Sequence, residues 1–188
     1  MYLGMVIVMD TIVVVLSSII ITCLILIMLI ATYNHFQDYI IRINEADVNI
    51  DAILRKRFDL LNKSVGIIKN NTNTEEQILE ILEKIRSKKL NNFELDRYLY
   101  DAINEFHTLK DKYPALQENK EFIKIEINLI ESESEIVGLR KYYNDIITDY
   151  NKLVKNCPSN LVALIKGYKS RNYFDGHNVD EEKGAVKL

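Results

Sequence analysis

The sequence predicts an all-α protein: a single N-terminal transmembrane helix, then an antiparallel four-helix bundle with two long helices (1 and 4) and two short ones (2 and 3). Three observations predict this. Thr11–Ile30 is an apolar run without charge, Pro or Gly. Beyond it, apolar residues recur at three- and four-residue spacing, the period of one helix face. The chain also holds only two Pro and six Gly, few breakers for a protein built of strands and turns.

The apolar run is the first element. As a helix it is about 30 Å long, the thickness of a bilayer's hydrocarbon core. A cleaved signal peptide would need a basic start, a shorter apolar core and a small-residue cleavage site. Met1–Met9 has no Lys or Arg, and no A-x-A pattern ends the run. Lipoprotein-type attachment at Cys23 fits poorly, because apolar residues flank it on both sides. Residues 1–10 are expected as a short tail, with Asp10 in the headgroup zone. The N-terminal side carries no positive charge, whereas Arg42, Arg55, Lys56 and Arg57 follow the run. The positive-inside rule then places the following domain in the cytoplasm, at a cell membrane.

Roughly 150 residues remain, enough for one domain with a core, expected over 31–174. Lys and Arg number 24 against 27 Asp and Glu, a net charge of −3 with the signs interspersed. That pattern offers no basic nucleic-acid face. Cys23 and Cys157 give no disulfide framework. The sequons at Asn62 and Asn70 read as chance in an Asn-rich chain.

The first helix continues out of the membrane, with Phe36, Ile40, Ile43, Ile50, Leu54, Leu61 and Ile68 as its stripe. Asp47 and Arg57 interrupt it, and Asn70–Asn73 ends it. Thr74 with Gln77 reads as a capping box opening a second helix, whose face is Ile78, Ile81, Leu82 and Ile85. Asn91-Asn92 is a short connection. A third helix carries Leu95, Leu99, Ala102, Phe106 and Leu109, and stops at Tyr113-Pro114 because the residue before Pro disfavours helix. The fourth begins near Asn119 and runs through Ile125, Leu129, Ser132, Ile136, Tyr143, Ile146 and Tyr150 until Pro158. Ser159 or Asn160 is expected to cap a short helix, Leu161–Lys166. The polar tail, 175–188, is expected to lack fixed structure.

At this point the chain resembles the LemA family. The residues that carry the likeness are Tyr33-Asn34, the run Ile50-Asp51 to Leu54-Arg55-Lys56-Arg57-Phe58-Asp59-Leu60-Leu61, and Tyr113-Pro114 with Leu116, Asn119 and Phe122. Glu131–Ile136, Arg140, Tyr143-Asn144, Tyr150-Asn151, Pro158–Ala163 and Gly167-Tyr168 complete it. The resemblance implies one N-terminal membrane helix and a helical bundle, with no assigned reaction. A relative serves magnetosome membranes, which implies a part in organising membranes or membrane proteins. Asn62 stands where the family usually has Pro, and Asp47 where an aromatic is common.

An up-down bundle sets Tyr33 near Asn156 and Asn70 near Asn119. That register places Arg57 against Glu133, and Asp47 within one turn of Arg140, as two expected structural ion pairs. The short helices cover only the distal half of the long hairpin. The proximal half is then a two-helix neck, whose Tyr33, Phe36, Tyr39, Tyr143 and Tyr150 form the expected interaction surface. Tyr143-Asn144 and Tyr150-Asn151 recur a heptad apart, on one face; plain aromatic packing is the simpler reading. Leu161–Tyr168 folds back over the neck or lies at the lipid interface.

No catalytic or metal site emerges. A di-metal bundle needs Glu-x-x-His, and none of His35, His107 and His177 has a Glu three residues before it. No cofactor or small-molecule substrate is implied. The expected function is a non-enzymatic, membrane-anchored protein that mediates protein–protein interaction. Its partners are the bilayer, and a second copy or another membrane protein, with no nucleic acid. The alternative is an anchored sensor binding a small ligand or lipid in the bundle; a hydrolase is a distant third.

Overall fold

The computed structural model describes residues 2–72 and 76–174, and every regular element among them is a helix. In order these are α1 (Tyr2–Thr72), α2 (Glu76–Ser87), α3 (Asn92–Lys112), α4 (Pro114–Gln117), α5 (Lys120–Lys155) and α6 (Ser159–Lys166).

α1 is 71 residues long and unbroken through the apolar run and past Asn62. Residues 2–10, expected as a tail, are its first turns. Nothing there stops propagation once a helix exists: Pro is absent and Gly4 is the one glycine. Asn62 accepts a hydrogen bond from Arg86 Nη2 of α2 at 2.8 Å.

The caps are decided locally. Asn91 is the N-cap of α3 in a reciprocal box: its side chain accepts from Glu94 N at 2.8 Å, and Asn91 N donates to Glu94 Oε2 at 3.1 Å. Thr74 of the expected box lies outside the described residues. Pro114 opens the short α4, where its missing N–H costs nothing. Asn119 Oδ1 accepts from the backbone of Glu121 and Phe122 at the start of α5.

Ser159 does not cap α6 as expected. Its hydroxyl donates backward to the carbonyls of Leu153 and Asn156, at 2.7 and 2.9 Å, and so closes the end of α5. α6 ends at Gly167, whose φ of 70° is left-handed. Tyr168 N donates to Ala163 O at 2.9 Å, the six-to-one bond of a Schellman turn.

Backbone contacts divide the chain into two compact units. The first joins Met1–Ile41 with Thr148–Ser170. Its α1 portion is one helix long and apolar enough to cross a membrane, and none of that apolar window is buried. Leu24 and Ile27, for example, are 62% and 63% exposed. The few polar groups there are answered within the helix. Ser17, Ser18 and Thr22 donate to the carbonyls of Val13, Val15 and Ser18 at 2.7–2.8 Å. Further along, Phe36 is fully buried, with the Tyr150 ring edge-on at 5.9 Å and the Tyr168 ring at 4.9 Å.

The second unit joins Arg42–Ile147 with Arg171–Leu188. Its core takes Ile50, Leu54, Leu61 and Ile68 from α1, Ile78 and Leu82 from α2, and Leu99 and Phe106 from α3. Leu116 of α4 and Phe122, Leu129 and Ile136 of α5 complete it. Phe106 and Phe122 stack with centroids 4.2 Å apart. Each such side chain contributes about 1.5–3 kcal/mol on burial. Ser64 and Ser132 are fully buried on α1 and α5, each bonded to its own helix at Leu61 O and Leu129 O.

Candidate functional site

Two charged side chains of the second unit, Arg57 and Asp96, are buried. Arg57 of α1 is only 2% exposed. Its Nη2 donates to Glu133 Oε2 of α5 at 2.5 Å, and its Nη1 lies 3.8 Å from Asp96 Oδ1 of α3. Arg140 of α5 donates to both oxygens of the same Asp96. Two cations and two carboxylates therefore form one neutral quartet. That is the condition under which buried charge is tolerated, since an isolated ion in such a site would lose its hydration without return. The quartet is not fully satisfied. Arg57 Nε and Arg140 Nε are buried without an acceptor among the described residues.

The structure brings Arg57 and Glu133 together, but not Asp47 and Arg140 as an ion pair. Asp47 is exposed, and its backbone O and Oδ1 accept from Asn92 Nδ2 at 3.1 and 2.9 Å. The register of the two long helices leaves α3 out. α3 supplies a buried carboxylate that Arg140 can reach. The signal for Asp96 was in the sequence: it lies three residues before Leu99, on the apolar face of its helix.

Two of the five residues of the expected aromatic surface, Phe36 and Tyr150, are buried, and Tyr33, Tyr39 and Tyr143 are partly exposed. Phe36 and Tyr150 are buried in the first unit, with Tyr168 laid against Phe36 and its hydroxyl accepting from Gln37 Nε2 at 2.7 Å. Tyr33 and Tyr39 are half-buried there. Lys166 Nζ stands 5.0 Å from the Tyr33 ring centre, and His35 packs on Tyr39. Tyr143 belongs to the second unit, half-buried, with the Phe174 ring edge-on at 6.1 Å. Burial raises its phenol pKa, the Asp47 charge adds to that, and Arg171 opposes it. Phe174, which sequence reasoning did not single out, also lies under the Arg140 guanidinium and donates its N–H to Asn144 Oδ1 at 2.8 Å. Sequence reasoning missed this cover because it comes from the chain after α6, where Tyr168 packs on Phe36 and Phe174 on Tyr143.

Exposed apolar side chains occur elsewhere in the second unit. Ile127, Ile130 and Val137 project from α5 and Tyr100 from α3, each more than half exposed. Tyr100 and Ile130 also line an open groove of about 400 Å³ with Arg57, Asn104, His107, Glu133 and Ser134. His107 is not isolated in it. Its Nδ1 lies 3.8 Å from Glu126 Oε1, which accepts from Lys110 Nζ at 2.6 Å.

Magnetosome protein MamQ 1 and Magnetosome protein MamQ 2 of Paramagnetospirillum magneticum (strain ATCC 700264 / AMB-1) are each 28% identical to the chain over 74 residues. That alignment covers 39% of this chain and 27% of each relative, so the chain matches about a quarter of their length. The LemA family model matches residues 46–188, from the stretch of α1 that precedes the buried Arg57 through α6 and beyond. On that match, which takes in most of its length, the chain belongs to the LemA family.

Proposed function

We propose that this LemA family protein is a non-enzymatic, single-pass membrane protein whose helical domain mediates protein–protein interaction at the cell membrane. The observation that carries the reading is the Thr11–Ile30 face. It is apolar, exposed at every residue but Leu29, and internally hydrogen-bonded at each of Ser17, Ser18 and Thr22. A lipid solvent demands that combination, because it offers no partner to an unpaired polar group. The basic residues after the run favour a cytoplasmic domain. In this reading the helices of the second unit pack as an antiparallel bundle, with Arg57 and Glu133 fixing the register of its two long members.

The interaction surface we assign is Tyr100, Ile127, Ile130 and Val137, in place of the neck tyrosines. An exposed apolar patch beside a polar groove is the usual form of such a site. The test places a photocrosslinking residue at Ile130 of the full chain in native membranes. A discrete adduct is expected, at twice the chain's mass if the partner is a second copy. Val48, also exposed, serves as the comparison position. Equal or absent labelling at both positions would contradict the assignment.

One observation favours a sensor as the second reading. The same groove converges Arg57, Asn104, His107, Glu133 and Ser134 on about 400 Å³, the scale of a small-ligand site. A ligand there would raise the unfolding temperature of the chain when screened as small carboxylic acids and amines. A flat screen would leave the interaction reading alone.

A further inference from the structure

We propose that α6 is a second membrane contact: its outer face enters the leaflet where the apolar run ends, and a phospholipid acyl chain fills the cleft between them. The inference rests on the reading of Thr11–Ile30 as a membrane helix. Leu161, Leu164 and Ile165 fall at i, i+3 and i+4, one face of the helix. They are 52%, 80% and 75% exposed. The opposite face, Val162 and Ala163, is buried in the first unit. Water is a costly neighbour for such a face, and a globular helix of this composition would turn it inward.

What covers it is given by its neighbours. A cleft of about 240 Å³ is lined by Leu29, Ile30 and Tyr33 of α1 with Val162, Ile165 and Lys166 of α6. Leu29 and Ile30 are the last residues of the apolar run. The outer face of α6 thus continues the surface that a bilayer would already touch, at the depth where hydrocarbon gives way to headgroups. The charges fit that depth. Lys166 sits over the Tyr33 ring at the mouth of the cleft, and Lys169 follows on the exposed chain after Gly167. Aromatic rings and snorkelling lysines belong at the level of lipid phosphates. An acyl chain matches the apolar walls, and its phosphate falls within reach of Lys166.

The chain contains no Trp, so a single introduced Trp reports its own surroundings. Full-length Leu164→Trp, Leu24→Trp and Val48→Trp would be reconstituted separately into phosphatidylcholine–phosphatidylglycerol vesicles, with and without lipids brominated along the acyl chain. For Leu164→Trp we expect a blue-shifted emission quenched most strongly by bromine near the headgroup. Leu24→Trp should be quenched most strongly by bromine near the chain terminus. Val48→Trp, on an exposed position of α1 outside the proposed interaction surface, should be unshifted and unquenched. A Leu164→Trp spectrum like that of Val48→Trp, with Leu24→Trp still quenched, overturns the α6 contact and leaves the membrane helix standing. Loss of quenching at Leu24→Trp overturns both.

Discussion

Arg57 is almost wholly buried, so its two carboxylate partners decide what it costs to keep. Asp96 is the more important of them, although the shorter contact is to Glu133. Its side chain is 11% exposed and serves both arginines, whereas that of Glu133 is 45% exposed. Asp96→Ala should therefore destabilise the chain by roughly 3–5 kcal/mol, the cost of stranding buried charge. Glu133→Ala should cost nearer about 0–1 kcal/mol, because solvent replaces much of the lost interaction. Urea unfolding of the two variants would measure the difference, and equal costs would contradict the quartet. At this scale the sequence was half legible. The interruption of the α1 stripe at Arg57 and the register of two long helices were enough to bring Glu133 opposite. Asp96 was hidden because its helix was read by its apolar residues alone. Asp47 misled for the opposite reason, since it occupies a stripe gap yet points outward to Asn92.

Helix ends carry the next set of expectations. Asn91→Ala removes both hydrogen bonds of the α3 box and should cost about 0.5–2 kcal/mol. Hydrogen exchange would show the loss concentrated in the first turn of α3. The Asn-x-x-Glu pattern of this box was present in the sequence, but two consecutive Asn residues read equally well as a plain connection. Gly167 is a different case. A Cβ there would meet nothing within 4 Å, yet the backbone is left-handed at φ 70°. Gly167→Val should thus cost about 1–2 kcal/mol from conformation alone, and Gly167→Asn appreciably less, since Asn tolerates that region. The observable is the Tyr168–Phe36 packing. Its loosening would expose Phe36 and show as faster exchange in α6, while the second unit's unfolding midpoint stays unchanged. Sequence reasoning found α6 within two residues of its start. It could not choose between folding back and lying at the lipid, and the side chains divide those roles: Val162 and Ala163 inward, Leu161 and Leu164 outward.

At the scale of the whole molecule, one helix belongs to two environments. The first part of α1 is apolar on every side, and from Phe36 onward only one stripe is. That change in pattern is readable without coordinates, because it follows from what each solvent requires of a helix surface. The division into two units was not readable, since α1 and α5 each pass through both without a break in sequence pattern. The proposed interaction surface on α5 was obscured in the same way. Ile127, Ile130 and Val137 lie off the stripe of Ile125, Leu129, Ser132 and Ile136, and single apolar residues off a stripe carry no signal by themselves. The account depends above all on Thr11–Ile30 lying in a bilayer, and alkaline carbonate extraction of membranes carrying the full chain tests that most directly. The unaltered protein should remain in the pellet. A variant with Leu16 and Leu24 both changed to Lys, each costing about 2.5–3.5 kcal/mol at a bilayer centre, should be released. Recovery of the unaltered chain in the alkaline supernatant would contradict the account.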